Sequence, residues 1–117
     1  MPIRKATAEN IKKAAAMIRA GGIAAFPTET VYGLGANAFD ARAVKKIFKA
    51  KGRPQDNPII VHIADKRDIA HVAVSISHVA EVLINKFWPG PLTLILPRNK
   101  NIPSIVSAGL DTVAVRM

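Results

Sequence analysis

Short apolar runs of strand length alternate along this chain with segments of helical period, and no other feature limits the fold as much. The runs are Gly22 to Phe26, Pro58 to Ile63, Leu92 to Leu96 and Thr112 to Met117. Before the first of them, Thr7 is placed to cap a helix from about Ala8 to Ala20, with Ile11, Ala14, Ala15 and Ile18 on one face and Gly21 at its end. That pattern reads as a core helix, and Gly22 to Phe26 reads as a buried strand. Asp40 caps a second helix whose stripe is Val44, Ile47 and Phe48, with Lys45, Lys46 and Lys49 off the stripe and Gly52 and Pro54 stopping it. Asp65 or Asp68 starts a short helix, and Ser77 caps another from His78 to Phe87 that Trp88-Pro89-Gly90-Pro91 ends. Alternation of this kind predicts an α/β sandwich rather than a bundle or an all-β barrel, although strand order cannot be read from it.

At 117 residues and 50% hydrophobic content the chain suits a single domain over 1–117 with one core. It has no run of eighteen apolar residues and no apolar segment behind the charged N-terminus, so the expectation is a soluble, cytoplasmic protein with no membrane partner. Zero cysteines exclude disulfides, thiolate metal sites and a cysteine nucleophile; three scattered histidines show no metal-ligand spacing, so no metal site built from side chains is expected. A net charge of +9 attracts phosphates, whether on nucleotides or on RNA.

Residues 26–40, FPTETVYGLGANAFD, place two glycines, three hydroxyl groups and two carboxylates after an apolar run. They read as a binding loop in which Gly33 and Gly35 let the backbone approach a ligand closely. The same glycines formally match a dinucleotide fingerprint, but six residues separate them from the strand, and Asp56, the acidic residue at the right distance, lies in a loop. No phosphate loop ending in Gly-Lys-Ser/Thr is present. In KGRPQDNP, Lys51 and Arg53 flank a glycine at a helix end, a pattern that suits an anion; the plainer account is a basic last turn that complements the helix dipole. Pro54 and Pro58 favour the first by restricting Arg53 and Asn57. His62, on a strand face with Ile60 and Ala64, reads as a satisfied core histidine, and His71 and His78 as surface or packing residues. Trp88 reads as a rigid hydrophobic corner in preference to a base-stacking platform, and Pro97 to Asn101 as an ordinary loop. Arg116 alternates with apolar residues and shares a face with Thr112 and Ala114, so it needs a carboxylate or a bound anion.

Taken together, PTETVYGLGANA, KGRPQDNPIIVHI, FWPGPLTLIL and TVAVRM resemble, in order and spacing, the YrdC/TsaC family of threonylcarbamoyl-AMP synthases, over nearly the whole chain from Gly22 to Met117. The resemblance implies a YrdC-like α/β fold, a twisted mixed sheet with flanking helices around a positively charged cavity. It also implies a nucleotidyltransferase that joins L-threonine, bicarbonate and ATP into L-threonylcarbamoyladenylate and releases pyrophosphate. A downstream threonylcarbamoyl transferase complex would then modify an adenosine of tRNA. Carried onto this chain, the resemblance places Thr30, His62 and Arg116 at L-threonine, and Lys51, Arg53, Asn57 and Thr112 at ATP. Lys51 and Arg53 would be the catalytic cations, and Mg2+ would ride on the ATP phosphates.

The resemblance also implies that the domain continues past TVAVRM into a Ser-x-Asn segment that completes the nucleotide site. The chain therefore reads as the N-terminal portion of that domain, incomplete at its C-terminus, and is expected to fall short of the family's rate by itself. Two other readings remain open: a non-catalytic RNA- or nucleotide-binding module of the same superfamily, and a carbamoyl-transfer domain like that of hydrogenase maturation proteins.

Overall fold

The computed structural model describes residues 2–117, which fall into two compact units, one ending at Arg53 and one spanning Pro54–Met117. In the first, α1 (Ala8–Arg19) begins where Thr7 Oγ1 accepts the Asn10 amide at 3.2 Å, as the capping pattern predicts. Gly21, at φ 85°, turns the chain, and the Gly22 amide donates to Met17 O at 2.9 Å. No residue of α1 is fully buried, so the helix is half-exposed rather than the core helix its apolar face predicts. Strand β1 (Ala24–Pro27) pairs antiparallel with β2 (Tyr32–Gly35), Phe26 lying opposite Gly33. Sequence pattern alone reads Tyr32 to Gly35 as loop and β1 as buried; the structure makes the first a strand and leaves Ala25, Phe26 and Pro27 exposed. Helix α2 (Ala41–Lys51) is capped by Asp40, whose carboxylate accepts the Arg42 and Ala43 amides at 2.9 and 3.2 Å. Its buried stripe is Ala43, Val44, Ile47 and Phe48. Lys46 Nζ reaches back to Gly21 O at 2.6 Å and so ties α2 to the end of α1.

The second unit is built on a mixed three-stranded sheet in the order β3 (Ile60–His62), β5 (Thr112–Arg116), β4 (Leu94–Pro97). The central strand β5 runs parallel to β3 and antiparallel to β4. Val61, Val113, Val115, Leu94 and Leu96 point to the buried face, an alternation that fixes which side chains remain on the other. Between β3 and β4 lie a single 3-10 turn (Lys66–Asp68), α3 (Ile69–Val72) and α4 (His78–Phe87), the last capped by Ser77 Oγ accepting the Ala80 amide at 3.1 Å.

Two segments of this unit are more closely held than loop composition predicts. Trp88 is buried, and its Nε1 donates to Leu92 O at 2.7 Å, so β4 starts at Leu94 and the corner residue is unavailable for stacking on a base. Residues 97–101 are not an ordinary loop either. Arg98 donates from Nη1 to Ile102 O at 2.7 Å and from Nε to Leu110 O at 3.0 Å, and Asn99 Nδ2 donates to Ala70 O at 3.2 Å. These bonds satisfy carbonyls around the fully buried Ile102.

Asp65 caps the 3-10 turn through the Arg67 amide at 2.8 Å and also takes Arg67 Nε and Nη2 at 3.1 and 2.9 Å. The Arg67 side chain, its amide and its charge hold the Asp65 carboxyl at about 2 instead of 3.8. A lowered carboxyl pKa adds stability above the ordinary value, and that stability disappears as pH falls towards the folded value. Urea midpoints of wild type and Asp65→Asn are therefore expected to differ at neutral pH and to converge near pH 2. A constant offset across that range would show that the carboxylate charge contributes nothing.

Candidate active site

The candidate residues of the second unit are assembled by strand register. His62 is paired with Arg116 across the parallel ladder, so the two side chains lie on the same face at about 4.8 Å backbone spacing. Thr112 and Ala114 share that face, because they alternate with the buried Val113 and Val115. Four residue steps along the strand, roughly 13 Å, separate Thr112 from Arg116, a distance that suits two different parts of a bound assembly. His62 is exposed, not the core histidine expected from a strand position; its neighbour Val61 takes the buried side and parity turns His62 outward. Asn57 stands on the approach to β3, in a turn closed by its amide donating to Pro54 O at 3.3 Å.

Arg116 is half-buried, and its Nε donates to Thr93 Oγ1 at 2.9 Å. Among the described residues the ion pairs are Lys13–Glu9 and Arg67–Asp65, so no carboxylate neutralises Arg116. A partly desolvated guanidinium that pairs with no acid among the described residues is a site for an anion, and the planar fork matches a carboxylate.

The first unit carries Thr30, Lys51 and Arg53. Thr30 lies at the tip of the β1–β2 hairpin, exposed. The tip is closed by Thr28, whose hydroxyl donates to Val31 O and accepts the Val31 amide at 3.2 Å, while its own amide donates to Val31 O at 3.1 Å. A turn so closed holds Glu29 and Thr30 at a defined apex. The glycines below it also make room for a side chain. A Cβ at Gly35 would lie 2.7 Å from Phe26 Cε1 and one at Gly33 3.2 Å from Phe26 Cε2, so both are small because the Phe26 ring lies across them.

Lys51 is the last residue of α2 and is exposed, whereas Arg53 is half-buried. Gly52 ends the helix at φ 61°, and the Arg53 amide donates to Phe48 O at 3.1 Å. This is the carbonyl end of the helix, where the dipole repels an anion; any phosphate bound there is held by the side-chain charges alone. Pairing with the dipole, the plainer account, is also satisfied by Lys49 and Lys51 in the last turn.

Register thus brings His62, Arg116 and Thr112 to one sheet face, with Asn57 at its approach, while Thr30 and the Lys51–Arg53 pair stand at two places in the other unit. Thr93 is the residue that pattern reasoning misses: its only sequence signal is membership of the Leu92 to Leu96 run. Among the described residues no group of three or more His, Cys, Asp or Glu could hold a metal ion, and no helix is long and apolar enough to cross a membrane.

A family model, Sua5/YciO/YrdC, described as telomere recombination, matches residues 16–117. The chain is 59% identical over 107 residues to the threonylcarbamoyl-AMP synthase of Pyrococcus abyssi, covering 92% of this chain and 32% of that protein. It is 56% identical over 108 residues to the enzyme of the same name in Bacillus subtilis, covering 92% and 31%. In three dimensions it is similar to a crystal structure of P. abyssi Sua5 complexed with L-threonine, at a TM-score of 0.91 and 55% identity over 97% of this chain and 34% of that one. The chain thus spans about a third of the length of these relatives. Its mixed sheet with flanking helices is the YrdC-like fold, and the chain belongs to the Sua5/YciO/YrdC family.

Proposed function

We propose that this chain carries threonine- and ATP-binding elements of a nucleotidyltransferase that makes L-threonylcarbamoyladenylate from L-threonine, bicarbonate and ATP in the cytoplasm, releasing pyrophosphate. The observation that carries the proposal is the His62–Arg116 pair, an uncompensated guanidinium fork beside an imidazole on the outward face of the sheet. A relative with a TM-score of 0.91 was crystallised with L-threonine, which supports reading the fork's anion as the amino-acid carboxylate. In this proposal Arg116 takes the carboxylate of L-threonine and His62 orients the amino acid; Thr30 keeps the polar role towards L-threonine that the family resemblance implies. Thr112 and Asn57 serve the nucleotide. Lys51 and Arg53 offset the repulsion as the carbamate oxygen attacks the α-phosphate and the bond to pyrophosphate breaks. The threonine amine, once carboxylated, supplies the nucleophile, so no activated side chain is required. Mg2+ would accompany the ATP phosphates. The adenylate would pass to a threonylcarbamoyl transferase complex acting on tRNA.

One observation favours a second reading, an RNA- or nucleotide-binding module. Residues 1–53 hold eleven of the seventeen Lys and Arg but three of the eight Asp and Glu, a concentration of positive charge that a phosphate backbone would match. Pyrophosphate release separates the two. Release by the protein is expected only when L-threonine, bicarbonate and ATP are all present, and Arg53→Ala is expected to weaken ATP binding about tenfold with the helix content unchanged. Salt-dependent RNA binding with no pyrophosphate release, and ATP affinity unmoved in Arg53→Ala, would overturn the enzymatic reading in favour of the module.

A further inference from the structure

We infer that Thr93 is a positioning residue for Arg116, one that aims the guanidinium so that its two terminal nitrogens meet a carboxylate end-on. The inference rests on the threonine-binding reading above. Strand β4 faces β5 with Leu94 opposite Val115 and Leu96 opposite Val113, so the next position along the same register sets Thr93 opposite Arg116 on the outward face. There Thr93 Oγ1 accepts Arg116 Nε at 2.9 Å. Of the guanidinium's five N–H groups this one alone lies on the chain side, and holding it fixes the plane of the fork. A side-on approach to a carboxylate needs Nε; with Nε engaged, the end-on pair remains.

The hydroxyl can act this way only if its own backbone is immobile, and the preceding corner supplies that. Trp88 is buried with its Nε1 on Leu92 O at 2.7 Å, immediately before Thr93. The Gly90 amide donates to Met117 O at 2.8 Å, immediately after Arg116. The corner therefore grips both strands one residue beyond the Thr93–Arg116 contact, at the same end of the ladder. A Cβ at Gly90 would lie 2.5 Å from Phe87 O, which explains the glycine in this close approach. Arg116 is long and flexible, and an unrestrained fork would lose side-chain entropy on binding each ligand; a preset one has already lost it.

The test compares L-threonine with L-threoninamide, which keeps the side chain and amine but lacks the carboxylate charge. Calorimetry on the wild-type protein is expected to show a clear preference for the acid. Thr93→Val, nearly isosteric but without an acceptor, is expected to cut that preference about tenfold, with ATP affinity unchanged, and Thr93→Ser to restore it. Thr93→Ala gives the same comparison should the valine variant fold poorly. A merely structural threonine would weaken both ligands equally and leave their ratio untouched, and that result would overturn the inference. Arg116→Gln separates the inference from the reading beneath it. If Arg116→Gln abolishes the preference and the Thr93 variants keep it, the positioning role fails alone. If Arg116→Gln keeps it, or the wild type shows none, both fail.

Discussion

Arg116→Ala is expected to weaken L-threonine binding about a hundredfold while leaving ATP affinity within about twofold, since truncating one side of a desolvated charged pair costs roughly 2–5 kcal/mol and Arg116 is half-buried. The low end of that range applies because some solvent reaches the group. Stability should not suffer. Among the described residues no carboxylate pairs with Arg116, so removing it strands no buried acid, and the strand keeps Val113 and Val115 in place. Arg116→Lys should recover only part of the affinity, because an ammonium is a point charge that can neither hold the Thr93 hydroxyl through Nε nor offer a planar fork. Isothermal titrations with L-threonine and ATP, together with thermal melts, check all three statements. Unchanged threonine affinity in Arg116→Ala would remove this residue from the site and with it the chief support for threonine recognition on this sheet face.

The second large effect is on stability. Trp88→Ala is expected to cost about 3–5 kcal/mol, the range for emptying a buried aromatic site, since Trp88 is 4% exposed. Trp88→Phe should cost less, about 1–3 kcal/mol, for a smaller ring and a Leu92 carbonyl left without its indole donor. Urea unfolding followed by circular dichroism measures both. A loss below about 1 kcal/mol in Trp88→Ala would mean that the corner collapses around the gap instead of holding a defined shape. Because the corner precedes Thr93, the same variants are expected to blunt the preference for a carboxylate even at temperatures where they remain folded.

The starts of α1, α2 and α4 were legible because each is a contact within a few residues. Thr7 reaches the Asn10 amide, Asp40 reaches Arg42 and Ala43, and Ser77 reaches Ala80. Gly21 and Gly52 mark the ends because positive φ angles of 85° and 61° are costly for residues with a Cβ. The alternation in Thr112 to Arg116 likewise foretold which of its side chains share a face, since a strand's parity is a local property. Family membership was legible for a related reason: four blocks kept their residue types, order and spacing.

What the chain alone could not disclose depends on partners distant in sequence. Tyr32–Gly35 contains two glycines and has little strand character of its own; it is a strand because β1 lies beside it, and its glycines leave room for the Phe26 ring. His62 looked like a core residue until the sheet showed which side of β3 is covered. The order β3–β5–β4 was unreadable, and with it the row in which His62, Arg116 and Thr93 stand side by side. Arg116 and Thr93 are 23 residues apart, and no periodicity within either strand encodes that meeting. Local sequence determined the caps, the helix ends, the parity of each strand and the residue types a site would need. Tertiary pairing decided which residues become neighbours, because register between strands is set by the burial of the whole sheet face rather than by any one strand.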